Sequence, residues 1–128
     1  MKRFATLIIM MLGLGILTAA GQTKLRVRFA RGAASATVGG TVRGFAYKDY
    51  VVGASAGQTL DVHLDQKTSS VFTVFKPNGD NLEGAAEMNE FSTTLPVSGD
   101  YVIRVMMMRA QARRPNSISS YRLTISIN

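Results

Sequence analysis

The chain reads as an all-β protein, an antiparallel β-sandwich or jelly-roll-like fold of about eight strands, on three observations. Hydrophobic and polar residues alternate at period two through most of the sequence. Gly, Pro, Asn and Asp cluster between the alternating runs. No window carries the 3.6-residue apolar stripe of an amphipathic helix.

The N-terminal segment stands apart from this pattern. Lys2-Arg3, the apolar run Phe4 to Leu17 and the small residues Thr18-Ala19-Ala20 form the three parts of a secretory signal, with cleavage expected after Ala20. The apolar run is short of the about 20 residues that span a bilayer, and Gly13 and Gly15 interrupt it. Residues 21–128 are therefore expected to form one exported domain, with the periplasm the simplest compartment. The whole chain carries a formal charge of +7, two of those charges being Lys2 and Arg3 of the signal.

The strands follow in order. Leu25, Val27 and Phe29 alternate with Arg26 and Arg28, and Leu60, Val62 and Leu64 alternate with Asp61, His63 and Asp65; both are strands with one wet face. Further strands are predicted at Ala36 to Arg43, Asp49 to Ala54, Val71 to Lys76, Glu90 to Leu95, Tyr101 to Met108 and Tyr121 to Ile127. Gly39-Gly40, Ala56-Gly57-Gln58, Pro77-Asn78-Gly79-Asp80 and Ser98-Gly99-Asp100 punctuate them with turn-forming residues. Phe29, Phe72, Phe75, Phe91, Tyr101 and Tyr121 lie within strand runs and are assigned to the core, as is Tyr50, which shares a face with Val52 and Ala54.

Several chemistries lose their footing on composition. With no Cys there is no disulfide framework, thiolate metal site, thiol nucleophile or lipidated N-terminus. The single His63 lies between Asp61 and Asp65 on one strand face, successive members about 6.6 Å apart, too widely spaced for one tight metal shell. A solvated strand face is the simpler reading. No serine occupies a Gly-x-Ser-x-Gly elbow and no Gly-rich segment is a phosphate loop, so no catalytic, cofactor or metal residues are assigned. A small hydrolase would have to depend on His63, Asp61 or Asp65.

The cations are more informative. In Met106-Met107-Met108-Arg109-Ala110-Gln111-Ala112-Arg113-Arg114-Pro115 the chain leaves a strand, carries Arg at i and i+4, and meets a Pro that stops any helix. A helical turn there points Arg109 and Arg113 the same way. In an exported compartment such a cluster meets carboxylates or anionic glycans rather than nucleic acid, or else it is solvated loop charge. Tyr47, preceding its strand in Gly44-Phe45-Ala46-Tyr47-Lys48-Asp49-Tyr50, is either an exposed contact residue or the cover of a sheet edge.

These residues resemble those of the periplasmic inhibitors of goose-type (g-type) lysozyme. The resemblance runs from Val27-Arg28-Phe29-Ala30-Arg31-Gly32 to the C-terminal strand. It is carried by Gly40-Thr41-Val42-Arg43-Gly44 with Tyr47 and Tyr50, by Ala54-Ser55-Ala56-Gly57-Gln58, and by Leu95-Pro96-Val97-Ser98-Gly99-Asp100-Tyr101 leading through Ile103-Arg104-Val105 to Arg109 and Ala112-Arg113. The Ala-x-x-Gly-Gln turn and the Leu-Pro-x-x-Gly-Asp-Tyr run are also similar to the pre-peptidase C-terminal domain, a β-sandwich binding module of secreted proteases. The segment Arg109 to Arg113 favours the inhibitors. Ser98-Gly99-Asp100-Tyr101 is one residue short of the Ser-Gly-x-x-Tyr loop of c-type lysozyme inhibitors.

The resemblance implies a non-catalytic protein, expected to be monomeric, whose Arg- and Tyr-bearing loops enter the cleft of a g-type lysozyme. Arg109, Arg113 and Tyr47 would be the inserting residues, with Arg114 beside them. It implies no cofactor, no nucleic acid and no membrane insertion. The alternative is a glycan-binding module of the pre-peptidase type.

Overall fold

The computed structural model describes residues 22–65 and 69–128; the expected signal peptide, residues 1–20, lies outside them. Eight strands follow in chain order: β1 (Gln22–Arg26), β2 (Ser35–Arg43), β3 (Tyr47–Ala54), β4 (Thr59–Leu64), β5 (Ser70–Phe75), β6 (Glu90–Thr94), β7 (Gly99–Met107) and β8 (Ile118–Ile127). A single helical turn, α1 (Arg109–Ala112), lies between β7 and β8.

The strands form two four-stranded sheets, ordered β1-β3-β7-β5 and β2-β8-β4-β6. Alternation is the reason. In β4 the burial alternates residue by residue, with Leu60, Val62 and Leu64 inside and Asp61 and His63 outside. In β8, Ser119, Tyr121, Leu123, Ile125 and Ile127 are the buried set. From the first sheet Tyr50, Val52, Phe72, Val74, Tyr101, Ile103 and Val105 face them, and the two inner faces close one core.

Several features depart from the sequence-based expectation. Gly39-Gly40, read as a turn, lies inside β2 opposite Arg122 and Tyr121, and the first strand ends at Arg26, short of Val27 and Phe29, with Leu25 exposed. β1 runs parallel to β3, with Leu25 opposite Tyr50, although all other strand pairs are antiparallel. The chain crosses between the sheets after β1, returns along β2 and crosses back into β3, so β1 and β3 point the same way. β3 and β8 also begin earlier than predicted, at Tyr47 and Ile118, because Met106 and Arg43 extend the ladders opposite them. Phe75, assigned to the core, instead lies half-buried with its ring beside the guanidinium of Arg104. Phe29 and Phe91 are only partly buried, packed against the core from its margin.

Polar anchors pin one end and the middle. The Tyr101 hydroxyl donates to the carbonyl of Val97 at 2.6 Å, a tyrosine corner closing the turn into β7. Ser98 Oγ accepts the Ala56 amide at 2.8 Å in the same region. Between the sheets the hydroxyls of Tyr50 and Tyr121 meet at 2.6 Å.

Candidate functional site

One end of the sandwich is built from the β2–β3 turn and the β7–β8 connection. Arg43 at the end of β2 pairs with Ile118 at the start of β8, and Tyr47 at the start of β3 pairs with Met106 near the end of β7. The Gly44 amide donates to the Ser117 carbonyl at 3.1 Å and ties the two connections together. Residues that are 43 to 118 in the chain therefore share one small surface.

The helical turn expected at Arg109 is present. Amides of Ala112 and Arg113 donate to the carbonyls of Met108 and Arg109 at 2.8 and 3.1 Å, and Ser117 Oγ donates to the Ala112 carbonyl at 3.1 Å. Ala112 is buried beneath the turn and anchors it. Arg109 and Arg113, four apart, emerge on one side, exposed, with Arg114 exposed next to them. Asn116 takes the left-handed conformation, φ 57°, that turns the chain into β8 after Pro115.

Arg109 opens the turn and Arg113 caps its C-terminal end, and the turn holds no acidic residue. Among the described residues none of Arg109, Arg113 and Arg114 has a carboxylate partner; the carboxylates that meet a cation or an imidazole there are Asp100 with Arg26, Asp49 with Arg104 and Glu90 with His63.

Tyr47 is the first residue of β3 rather than part of the preceding loop, and it is half-buried. Its ring lies on the outer face of the first sheet with the Arg104 guanidinium 3.9 Å from its centroid. Arg104 in turn donates from Nε to Asp49 Oδ1 at 2.8 Å and from Nη2 to Asp49 Oδ2 at 3.0 Å. The hydrogen-bonded carboxylate raises the pKa of Arg104 above its usual value, partly opposed by burial. Sequence reading placed Arg104 in a strand but had no register with which to bring it to Asp49.

The same end also presents apolar surface that the sequence did not single out. Phe45, Met108 and Ile118 are three of the five large hydrophobics exposed among the described residues, and Phe45, at the tip of the β2–β3 turn, is 67% exposed. Arg43, Ala46, Tyr47 and Ile118 help line a shallow groove of about 460 Å³ there. Cations beside exposed aromatic and aliphatic side chains are the composition of a protein-binding surface.

Asp61, His63 and Asp65 are exposed on the outer face of the second sheet, with His63 Nδ1 3.3 Å from Glu90 Oε1. No group of three or more His, Cys, Asp or Glu able to hold a metal occurs among the described residues. No described helix is long and apolar enough to cross a membrane.

No family model matches the chain. It is similar to PliG of Aeromonas hydrophila, a periplasmic lysozyme inhibitor of g-type lysozyme, at 35% identity over 84% of this chain and 97% of that one, with a TM-score of 0.73. The inhibitor of g-type lysozyme from Escherichia coli (strain K12) is 27% identical over 117 residues, which are 85% of this chain and 84% of the relative. The pre-peptidase C-terminal domain of a Bacillus anthracis collagenase, 14% identical over 80% of this chain and 94% of that one, shares the fold alone, with a TM-score of 0.51.

Proposed function

The chain belongs to the periplasmic inhibitors of g-type lysozyme, and on that premise we propose that it binds g-type lysozyme in the periplasm and blocks the active-site cleft with the Arg109–Arg114 connection and Tyr47. The observation that supports this reading best is the convergence of Arg109, Arg113 and Arg114, without carboxylate partners among the described residues, on the end of the sandwich that also carries Tyr47 and Phe45.

Such a surface inhibits without chemistry of its own. Lysozymes cleave glycan with carboxyl groups in a cleft. A guanidinium entering that cleft forms paired, charge-assisted hydrogen bonds with a carboxylate and fills space the sugar needs. The net positive charge speeds encounter with an acidic cleft, while the buried Arg contacts slow release. Phe45, Met108 and Ile118 add exposed apolar surface at the same end, and a standard interface takes about 800 Å² from each partner. The inhibitor acts by occupation, as a monomer with no cofactor.

The test is inhibition of a purified g-type lysozyme by the mature chain and by Arg109→Ala and Arg113→Ala. Each substitution is expected to weaken inhibition by about 30-fold or more, the usual result of removing one partner of a buried charged pair, with an unchanged circular dichroism spectrum. Full inhibition by both variants refutes the assigned site. Retention on bare peptidoglycan, with no effect on lysozyme, would place the chain with glycan-binding modules instead.

A further inference from the structure

We propose that Arg104 is a positioning residue of the inhibitory surface, holding the ring of Tyr47 in the orientation that the lysozyme meets. This inference rests on the reading of Tyr47 as a contact residue, and it adds to that reading a residue that lies on the sheet face.

The geometry runs from a fixed point outward. Asp49 is 6% exposed in β3, directly opposite Arg104 of β7. Both oxygens of its carboxylate accept from Arg104, at 2.8 and 3.0 Å, and a two-point fork fixes the plane of the guanidinium as a single contact would not. The guanidinium carbon lies 3.9 Å from the centroid of Tyr47 and 5.0 Å from that of Phe75, whose ring supports it from β5. The negative face of an aromatic ring attracts a cation at these distances.

The arrangement does little for the core. Tyr47 and Arg104 are half-buried on the outer face of the sheet, and Tyr47 opens its strand, where a side chain is least constrained. Left alone, that ring would exchange rotamers, and a partner binding it would have to order it. Ordering one such side chain weakens association by about two- to tenfold. Arg104 orders it in advance. A lysine keeps the charge but has neither the planar face nor the fork.

The experiment therefore uses Arg104→Lys, which leaves Asp49 a cationic partner. Dissociation constants for g-type lysozyme are measured for wild type, Arg104→Lys, Tyr47→Ala and the double variant. Arg104→Lys is expected to weaken binding about fivefold in the wild-type background and less than twofold in the Tyr47→Ala background, because the ordering it removes belongs to Tyr47. Equal losses in both backgrounds, or no loss in either, overturn the proposal.

A second readout needs no lysozyme. The chain contains no Trp, so Tyr47→Trp installs a single reporter at the site. Its fluorescence anisotropy is expected to fall when Arg104→Lys is added, and an unchanged value also overturns the proposal. If anisotropy falls while Tyr47→Ala binds lysozyme as tightly as wild type, Arg104 orders a ring the enzyme does not touch: the contact reading of Tyr47 fails, and the inhibitory role of Arg104 fails with it.

Discussion

Replacing Gly40 by Ala is expected to destabilise the protein far more than the same change one residue earlier. Gly40 pairs with Tyr121 across β2 and β8, and the Tyr121 side chain crosses the core to meet Tyr50 of the opposite sheet. The two rings stand edge to face, 84° apart with centroids at 6.4 Å. A Cβ on Gly40 would lie 2.7 Å from Cζ of Tyr121, closer still to its hydroxyl oxygen, and 3.0 Å from the hydroxyl of Tyr50. Tyr50 and Tyr121 are only 2% and 6% exposed, so the added methyl group displaces packed aromatic side chains rather than solvent-facing ones. Overpacking of this kind costs about 1–3 kcal/mol, and displacing the hydroxyl pair costs about 1 kcal/mol more. The stiffer unfolded chain returns about 0.4–1 kcal/mol. The net loss is about 2 kcal/mol, which for a domain of this size lowers Tm by roughly 8–16 °C. At Gly39 the nearest atom to an added Cβ is the Tyr121 carbonyl oxygen at 3.7 Å, an ordinary contact, so Gly39→Ala is expected to be neutral or slightly stabilising. Thermal and urea denaturation followed by circular dichroism measure both variants. A Gly40→Ala protein melting within about 2 °C of wild type, or a Gly39→Ala protein equally impaired, refutes the steric argument.

The same tyrosine pair makes stability fall in alkali. Burial raises the pKa of both phenols above the ordinary value near 10, so the folded state holds protons that the unfolded state has released; stability is full below pH 10 and declines above it, by up to about 1.4 kcal/mol per pH unit for each phenol. Urea midpoints between pH 8 and 11.5 should fall more steeply for wild type than for the Tyr50→Phe/Tyr121→Phe variant, and parallel profiles would count against the assignment. Phe45→Ser, at an exposed turn, is expected to leave stability within about 0.5 kcal/mol of wild type while weakening lysozyme inhibition about tenfold, the value of burying one large apolar side chain; titrated inhibition curves that superimpose would remove Phe45 from the interface. Tyr101→Phe deletes the hydroxyl that closes the corner at Val97 and is expected to lower Tm by roughly 4–8 °C without changing inhibition, because the corner lies at the far end of the sandwich from Arg109.

Period-two patterning was enough to place eight strands, because most bury one face and the alternation records it, although β5 is buried on both faces and β1 ends at Arg26 with Leu25 exposed. What patterning cannot carry is pairing. The parallel partnership of β1 and β3 depends on which sheet the chain enters after Arg26, and the early starts of β3 and β8 depend on backbone groups of Met106 and Arg43 distant in sequence. Arg104 shows the consequence for the site. Read along the chain it is a wet-face residue between Ile103 and Val105; only the register that sets it opposite Asp49 brings its guanidinium over Tyr47. Arg109 and Arg113 were legible because their relation is local: a spacing of four, a small Ala112 to bury, and Pro115 to end the turn. Gly40 was legible as part of a family motif, but its reason is steric. It leaves room for two tyrosine hydroxyls inside the core, so that block of the resemblance records the fold, whereas Arg109 to Arg113 records the surface.

The arginines of the described residues divide by the work they do. Arg26 and Arg104 have carboxylate partners in Asp100 and Asp49, an exposed pair in the first case and in the second the fork that holds the guanidinium over Tyr47. Arg109 and Arg113 reverse this logic. Four residues apart on a single helical turn they repel each other by a few tenths of a kcal/mol. The turn is held against that repulsion by neutral groups, the buried Ala112 and the Ser117 hydroxyl on the Ala112 carbonyl. Two cations without carboxylate partners among the described residues, held four apart on a turn that neutral groups secure, are a stronger argument for a binding role than net charge, because net charge has no address and this pair has one.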